Sequence, residues 1–256
     1  MGLSMVEYGL LFVASIFAGV INSVAGGGSF FTFPMLLFTG MNPIIANATS
    51  TMATWPGMVA STVAYRPEIA ANRQKLPALM IISLIGSIIG TIVLLKTPEQ
   101  TFAGLVPYLL LFATLLFAFG NSIAQKLRKM RGDKKPSTLS HAGVFCLQMG
   151  IAIYGGYFGG GMGIVLLSMF ALMGLTHIHE MNALKAVLTS TINGVAVVIF
   201  IAAHVIAWPQ AIVMLCGSVL GGYSGASYAK RLPPLLVRHF IIATGVVLTI
   251  YFFLKR

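Results

Sequence analysis

Acidic residues are scarce in this chain. Its 256 residues include only 5 Asp and Glu against 16 Lys and Arg, and charged residues of both signs make up 8% of the sequence. A soluble globular domain carries about 25% charged residues. No paired carboxylates, Ser-His-Asp set or His-Glu-x-x-His motif stands within the apolar stretches. The shortage of carboxylates argues against a membrane-embedded hydrolase or protease, and we expect no enzymatic activity.

Cysteine is almost absent as well. Cys146 and Cys216 lie far apart inside apolar runs, without Cys-x-x-Cys spacing, so we expect buried free thiols rather than a disulfide or a metal site. His177, His179 and Glu180 are grouped, but no further ligands stand beside them. No metal and no cofactor is predicted.

Apolar residues are what the chain has in abundance. They make up 57% of the sequence, and the mean hydropathy is +0.92. The net charge of +11 would suggest nucleic acid as the partner of a soluble protein. Here most cations fall in short loops between apolar runs, which is typical of cytoplasmic loops of membrane proteins. The expected partners are therefore a lipid bilayer and a small substrate, not nucleic acid, and a homodimer is compatible with the sequence.

Each half of the chain contains five apolar segments. The first repeat, residues 1–125, is followed by a basic linker at 126–140 and a second repeat at 141–256. Residues 1–25 resemble a signal peptide, but the leading segment lacks Lys and Arg, so we interpret it as a retained membrane segment. The segments are predicted at 8–24, 29–40, 45–65, 76–96 and 104–124, then at 141–158, 163–176, 183–206, 209–229 and 236–254.

The two halves are related in sequence. An offset of 135 residues maps Asn47 onto Asn182, Thr54 onto Thr189 and Gly86 onto Gly221. The glycine triplets at 26–28 and 159–161 match at an offset of 133. This common register indicates an internal duplication. The predicted fold is an all-α polytopic membrane protein with two homologous halves, 8–10 spans and a glycine-rich break after the first segment of each half.

The basic residues indicate the orientation. The linker contains six of them, which favours a cytoplasmic position. If five segments cross in each half, thirteen basic residues lie inside and three outside; with four crossings per half, the numbers are eleven and five. The first distribution favours an odd number of crossings per half, and therefore an inverted repeat.

The glycine triplets interrupt apolar helices, where glycine is unfavourable and exposes the backbone. Residues 29–40 span about 18 Å as a helix, which is short for a ~30 Å hydrocarbon core. A re-entrant hairpin explains this length, and a strongly tilted crossing is the alternative. Free N–H groups after Gly28 or Gly161 would attract an anion. The other interpretation is that the glycines allow close helix packing.

A polar stripe marks the third segment of each half. Asn182, Lys185, Thr189 and Asn193 share one helical face. Polar residues on a membrane helix face the bundle interior or a watery path, or join neighbouring helices by hydrogen bonds. Lys185 is suited either to holding an anion or to snorkelling to the interface. The corresponding residues of the first half are Asn47, Ser50 and Thr54, with Thr51 beside them.

Ordered motifs run along almost the whole chain. In the first half they are the segment from Ala18 to Gly28, Phe33-Pro34 and Ala48-Thr49-Ser50. In the second half they are the segment from Gly155 to Gly163, that from Met181 to Lys185, Asn193, Trp208, Gly217, Gly221, Gly225, Arg231-Leu232-Pro233 and Arg238. In this order the motifs resemble the TauE/SafE family of membrane anion exporters. One departure is Leu167, which stands where Pro34 stands in the first half.

The resemblance implies a multi-pass transporter of the bacterial plasma membrane that exports sulfur-containing anions such as sulfite or organosulfonates. Combined with the residue patterns, it predicts transport of a small anion by alternating access. An anion channel, or a membrane subunit without transport of its own, is the alternative. The predicted substrate-binding residues are Asn22, Gly26, Gly27, Gly28, Ser29, Asn47, Ser50, Thr51, Thr54, Gly159, Gly160, Gly161, Asn182, Lys185, Thr189 and Asn193.

Overall fold

The computed structural model describes residues 4–24, 27–71, 74, 76–131, 141–175, 177–228 and 234–255. Within these ranges the protein is α-helical without strands, as predicted. The first half contains α1 (Met5–Val24), α2 (Ser29–Phe38), α3 (Pro43–Ala64), α4 (Arg66–Ala71), α5 (Leu76–Lys96) and α6 (Glu99–Arg131). The second half contains α7 (His141–Tyr157), α8 (Met162–Leu172), α9 (Ile178–Ala202), α10 (Trp208–Tyr228) and α11 (Pro234–Leu254).

The helices have the composition of membrane spans. Among the described residues, four helical stretches are long and apolar enough to cross a bilayer: Met5–Asn22, Leu76–Lys96, Glu99–Gly120 and His179–Ala202. Further apolar helices of 10–17 residues accompany them. Large aliphatic side chains on the outer faces are exposed, whereas many hydroxyl and amide side chains are buried. This distribution is the one expected of a multi-pass membrane protein.

One prediction about local structure is wrong. Cys146 and Cys216 are free thiols, but both are exposed rather than buried, because they lie on the outer faces of α7 and α10. Two further features go beyond the predicted apolar segments. α6 continues past the segment predicted at 104–124 as far as Arg131, through residues that favour helix formation, such as Gln, Lys, Leu and Arg. A short helix, α4, forms after α3. Linker residues 132–140 lie outside the described residues.

Glycine allows two pairs of helices to pack closely. α1 packs along α10, and α5 packs along α7. A Cβ atom on Gly90 of α5 would collide with the backbone carbonyl of Ile153 on α7. A Cβ atom on Gly221 of α10 would likewise collide with the carbonyl of Ile16 on α1. Small residues at such contacts let membrane helices approach at backbone distance.

The polar-striped helices α3 and α9 lie between these pairs. They pack on each other, α10 packs on α3, and α5 packs on α9. α3 begins at a capped end, because the Asn42 side chain accepts hydrogen bonds from the N–H groups of Ile44 and Ile45 at 2.9 Å and 3.3 Å. α2 packs on α3, and α8 packs on α9. Each glycine-rich turn therefore leads into a short helix that lies against a polar-striped helix.

Replacing Gly90 with alanine tests the close packing of α5 on α7. We expect Gly90→Ala to destabilise the protein by about 1–3 kcal/mol, because the added methyl group overpacks a backbone contact. Gly150→Ala on α7 is the matched control, since nothing lies within 4 Å of its Cβ position. Thermal unfolding in detergent should give a lower midpoint for Gly90→Ala only. Equal midpoints for the two variants would contradict this packing.

Candidate functional site

A side chain from the preceding helix forms hydrogen bonds with the glycine-rich turn of the first half. Asn22, near the end of α1, accepts hydrogen bonds through Oδ1 from the N–H groups of Gly27 and Gly28, both at 2.9 Å. Gly27 has φ +125°, a conformation that L-residues with side chains rarely adopt. Ser29 is the first residue of α2. Gly26 lies outside the described residues. The N–H groups of Gly27 and Gly28 therefore have an internal acceptor, whereas α2 itself, which begins after Gly28, has no side-chain cap.

The polar stripe of α3 is buried and largely satisfied by neighbouring groups. Ser50 Oγ lies 2.6 Å from Thr32 Oγ1 of α2. Thr51 and Thr54 donate to the carbonyls of Asn47 and Ser50 at 2.8 Å and 2.9 Å. Asn47 donates through Nδ2 to the Tyr157 carbonyl at the end of α7, at 3.3 Å. The first-half stripe thus contacts the second-half turn.

The turn of the second half is built differently. Gly159 and Gly161 have φ +77° and +74°, and Gly161 is the N-cap of α8, without a side-chain hydrogen bond to the helix. Tyr154 donates from its hydroxyl to the Gly160 carbonyl at 2.5 Å. The N-terminus of α8 therefore carries the partial positive charge of a helix end and no side-chain acceptor.

The polar stripe of α9 carries the charge of the site. Lys185 Nζ donates to Asn182 Oδ1 at 2.9 Å. Thr189 donates to the Lys185 carbonyl at 2.8 Å. Asn193, which is 5% exposed, donates through Nδ2 to Met58 Sδ at 2.9 Å. A thioether sulfur is a weak acceptor, so this amide donor is only weakly satisfied.

The second turn and the α9 stripe face each other. A Cβ atom on Gly163, in the first turn of α8, would lie 3.3 Å from Lys185 Cδ. A Cβ atom on Gly159 would lie 3.6 Å from Asn193 Oδ1. The aliphatic part of Lys185 therefore lies against the N-terminal turn of α8. Within the described residues Lys185 forms no ion pair, and its charge is met only by the Asn182 amide oxygen.

The two stripes also meet each other at the centre of the molecule. The Trp55 indole N–H donates to the Ser190 carbonyl at 3.0 Å. Met58 and Asn193 form the second contact. Gly194 leaves room for this contact, because a Cβ atom there would lie only 3.1 Å from Trp55 Nε1. The structure thus brings Asn47, Asn193 and the second glycine turn into one region and ties the first glycine turn to Asn22.

Several residues of this region were not predicted from the sequence. They are Thr32, Trp55, Met58, Tyr154 and Gly163. A tyrosine hydroxyl in an apolar run, five residues before a glycine triplet, is the signal that points to Tyr154. The others become visible only through contacts between distant segments. Among the described residues, no group of three His, Cys, Asp or Glu side chains comes together as metal ligands would.

Comparison with known proteins supports the resemblance seen in the sequence. Residues 11–252 match the family described as sulfite exporter TauE/SafE. A probable membrane transporter protein of Haemophilus influenzae is 28% identical over 243 residues, which cover 94% of this chain and 92% of the relative. The probable membrane transporter protein YfcA of Escherichia coli is 26% identical, with 94% and 87% covered. A probable membrane transporter protein, ORF9, of a Sinorhizobium species is 25% identical, with 94% and 90% covered.

No solved structure matches the chain. The family match covers nearly all of the sequence, including both glycine turns and both polar stripes. The chain therefore belongs to the sulfite exporter TauE/SafE family.

Proposed function

We propose that this protein is a bacterial plasma-membrane transporter that moves small anions, of the sulfur oxyanion or organosulfonate class, by alternating access. One observation carries the proposal. The stem of Lys185 lies on the first turn of α8, whose N-terminus has no side-chain cap, and the ammonium is bound only to a neutral amide.

The electrostatics of this region favour an anion. A helix N-terminus contributes roughly half a positive charge, and the lysine contributes a full one. Because a charged group inside a membrane is costly unless it is paired, Lys185 gains most from an anionic partner. The Asn193 amide is a further donor, since an oxyanion is a better acceptor than the Met58 thioether that it contacts.

The substrate class rests on the family. A lone cation beside backbone and amide donors fits the oxygens of a sulfite or sulfonate group, but these residues would bind other small oxyanions as well. Sulfite, sulfate, sulfoacetate, thiosulfate and taurine can be compared by thermal stabilisation, because a ligand at 100 times its Kd stabilises by about 2.7 kcal/mol.

The contacts between α3 and α9 support an inverted repeat. These helices are counterparts at an offset of 135 residues, and they run in opposite directions. Thr49 near the start of α3 accepts from Ala207 N beyond the end of α9, whereas Met58 contacts Asn193 earlier in α9. Trp55 contacts Ser190, and Met58 contacts Asn193. In both pairs the two residues are counterparts of each other at that offset. Such self-pairing is expected where a pseudo-two-fold axis crosses the helices.

Other helix contacts also occur in pairs that correspond when the two halves are exchanged. α1 on α10 corresponds to α7 on α5, and α2 on α3 corresponds to α8 on α9. An inverted repeat requires an odd number of crossings in each half, so five per half follows. With the basic linker in the cytoplasm, the segment between α9 and α10 then lies outside.

Alternating access then consists of rocking one half against the other about the α3–α9 crossing. The anion would bind at the α8 turn and be exposed to either side in turn. Carboxylates are too few to provide a proton relay through the spans. The membrane potential would favour anion exit by about 2.3 kcal/mol per charge per 100 mV.

Replacing Lys185 with methionine tests the proposed site. We expect Lys185→Met to reduce saturable sulfite flux in proteoliposomes by about tenfold or more, because a hydrogen bond to a charged group contributes about 1.5–3 kcal/mol. Exchange of internal for external sulfite distinguishes a carrier from a channel. Activity of the purified chain alone excludes a subunit that depends on a larger complex.

Lys96→Met is the matched control for this variant. It also removes one lysine, but at the end of α5, outside the proposed site. We expect its flux to equal that of the wild type. Normal flux in a folded Lys185→Met variant would refute the proposed role of Lys185.

Sided labelling of single cysteines tests the inverted repeat. In a Cys146→Ser, Cys216→Ser background, Ala203→Cys puts a thiol at the exposed end of α9, and Ser137→Cys puts one in the linker. A membrane-impermeant maleimide applied to intact cells should label Ala203→Cys. The linker cysteine should react only after permeabilisation. Labelling of both positions from the same side would favour four crossings per half.

A further inference from the structure

The two glycine turns are stabilised by side chains of opposite hydrogen-bonding polarity. In the first turn, Asn22 supplies an acceptor, which takes the N–H groups of Gly27 and Gly28. In the second turn, Tyr154 supplies a donor, which takes the carbonyl of Gly160. At the first turn, a protein side chain therefore occupies the N–H groups of Gly27 and Gly28. At the second turn, a protein side chain occupies the carbonyl of Gly160 instead.

The Tyr154 hydrogen bond also sets the direction of the next N–H group. In a planar trans peptide, the carbonyl and the following N–H point to opposite sides. Because the Gly160 carbonyl faces the Tyr154 hydroxyl, the Gly161 N–H on the same peptide points away from it. Within the described part of the chain, neither the Gly161 N–H nor the Gly163 N–H has an acceptor. The aliphatic stem of Lys185 lies against Gly163, which carries one of these two donors.

Neither turn could use the hydrogen-bonding side chain that holds the other turn. At the 133-residue offset that aligns the triplets, Asn22 corresponds to Gly155 and Tyr154 corresponds to Ile21. A side chain at Gly155 would collide with Met162 and would approach Ile192 Cγ2 to 2.8 Å. Ile21 is an apolar side chain without a hydrogen-bonding group, and it is buried. Each half has therefore kept its own way of holding the turn.

Aromatic neighbours hold the Tyr154 ring independently of its hydroxyl. The centroids of the Phe112 and Phe158 rings lie 5.4 Å and 6.4 Å from that of Tyr154, in edge-on arrangements. Removing the hydroxyl alone should leave this packing intact and release only the Gly160 carbonyl.

We infer that Tyr154 is a positioning residue for the anion site: it fixes the Gly160–Gly161 peptide so that the α8 N-terminus presents its donors, whereas Asn22 occupies the N–H groups of Gly27 and Gly28 before α2. Each chain then binds one anion, at the second turn. This inference rests on the proposed function, because it names the residue that shapes the same site.

Tyr154→Phe, compared with Tyr157→Phe, tests this role. The Tyr157 ring packs against Phe102 one turn further along α7, and only its backbone carbonyl contacts Asn47. For Tyr154→Phe we expect the KM for sulfite in proteoliposomes to rise by about two- to tenfold, the effect of one hydrogen bond. The maximal rate should stay at the wild-type value, whereas the thermal midpoint without sulfite should fall, because the buried Gly160 carbonyl loses its partner. Tyr157→Phe should leave all three quantities unchanged.

A wild-type KM in Tyr154→Phe, with or without a lower thermal midpoint, would overturn the positioning role. Loss of flux in Lys185→Met together with a normal KM in Tyr154→Phe would refute this inference and leave the proposed function standing. Calorimetric titration of the purified wild-type protein with sulfite supplies a measurement that depends on no variant. One site per chain is expected, and two equivalent sites would contradict a site built on Tyr154 and Lys185 of the second half.

Discussion

The hydrogen bonds of the backbone are the constraint on which this structure depends. Inside a bilayer, an exposed N–H or carbonyl group has no water to bind, so a break in a helix requires partners from the protein or from a ligand. This chain breaks its apolar helices at two glycine turns. Asn22 provides the partners at the first, and Tyr154 provides one at the second. At the second turn the Gly163 N–H group is left without an acceptor among the described residues and lies beside the stem of Lys185. The proposed anion site follows from this unpaired donor.

In the proposed duplication the two halves are similar frameworks, and different residues at corresponding positions make them unequal. Ser50 in α3 forms a short hydrogen bond with Thr32 of α2. At the corresponding position in α9 stands Lys185, whose stem lies on α8 instead. A hydroxyl pair closes a helix contact without adding charge, whereas a lysine introduces a charge that the described residues do not neutralise. The two glycine turns therefore differ in chemistry as well as in backbone conformation.

Much of this arrangement could be predicted from the sequence, and the rest could not for an identifiable reason. The segment 76–96 was predicted with the bounds that α5 has, because its apolar run is long and uninterrupted. The stripe from Asn182 to Asn193 was predicted on one face of α9, because helical periodicity is local information. The contacts of Asn22 and Tyr154 with the turns depend on how the chain reverses direction. The contact of Met58 with Asn193 joins residues 135 apart, and no local pattern specifies it.

The central crossing is suited to a transporter that rocks between two states. In an inverted repeat, exchanging the conformations of the two halves turns an inward-facing state into an outward-facing one. That exchange puts each residue in the position of its counterpart. A contact between two counterparts, such as Trp55 and Ser190, therefore joins the same two residues before and after the exchange. In the proposed mechanism, such a pair stays together at the crossing in both states. Residues that differ between the halves would then set the balance between the states, and Lys185 is the one that a bound anion would affect most. In the proposed mechanism, the charge that makes the halves different is therefore also what links the change of state to the substrate.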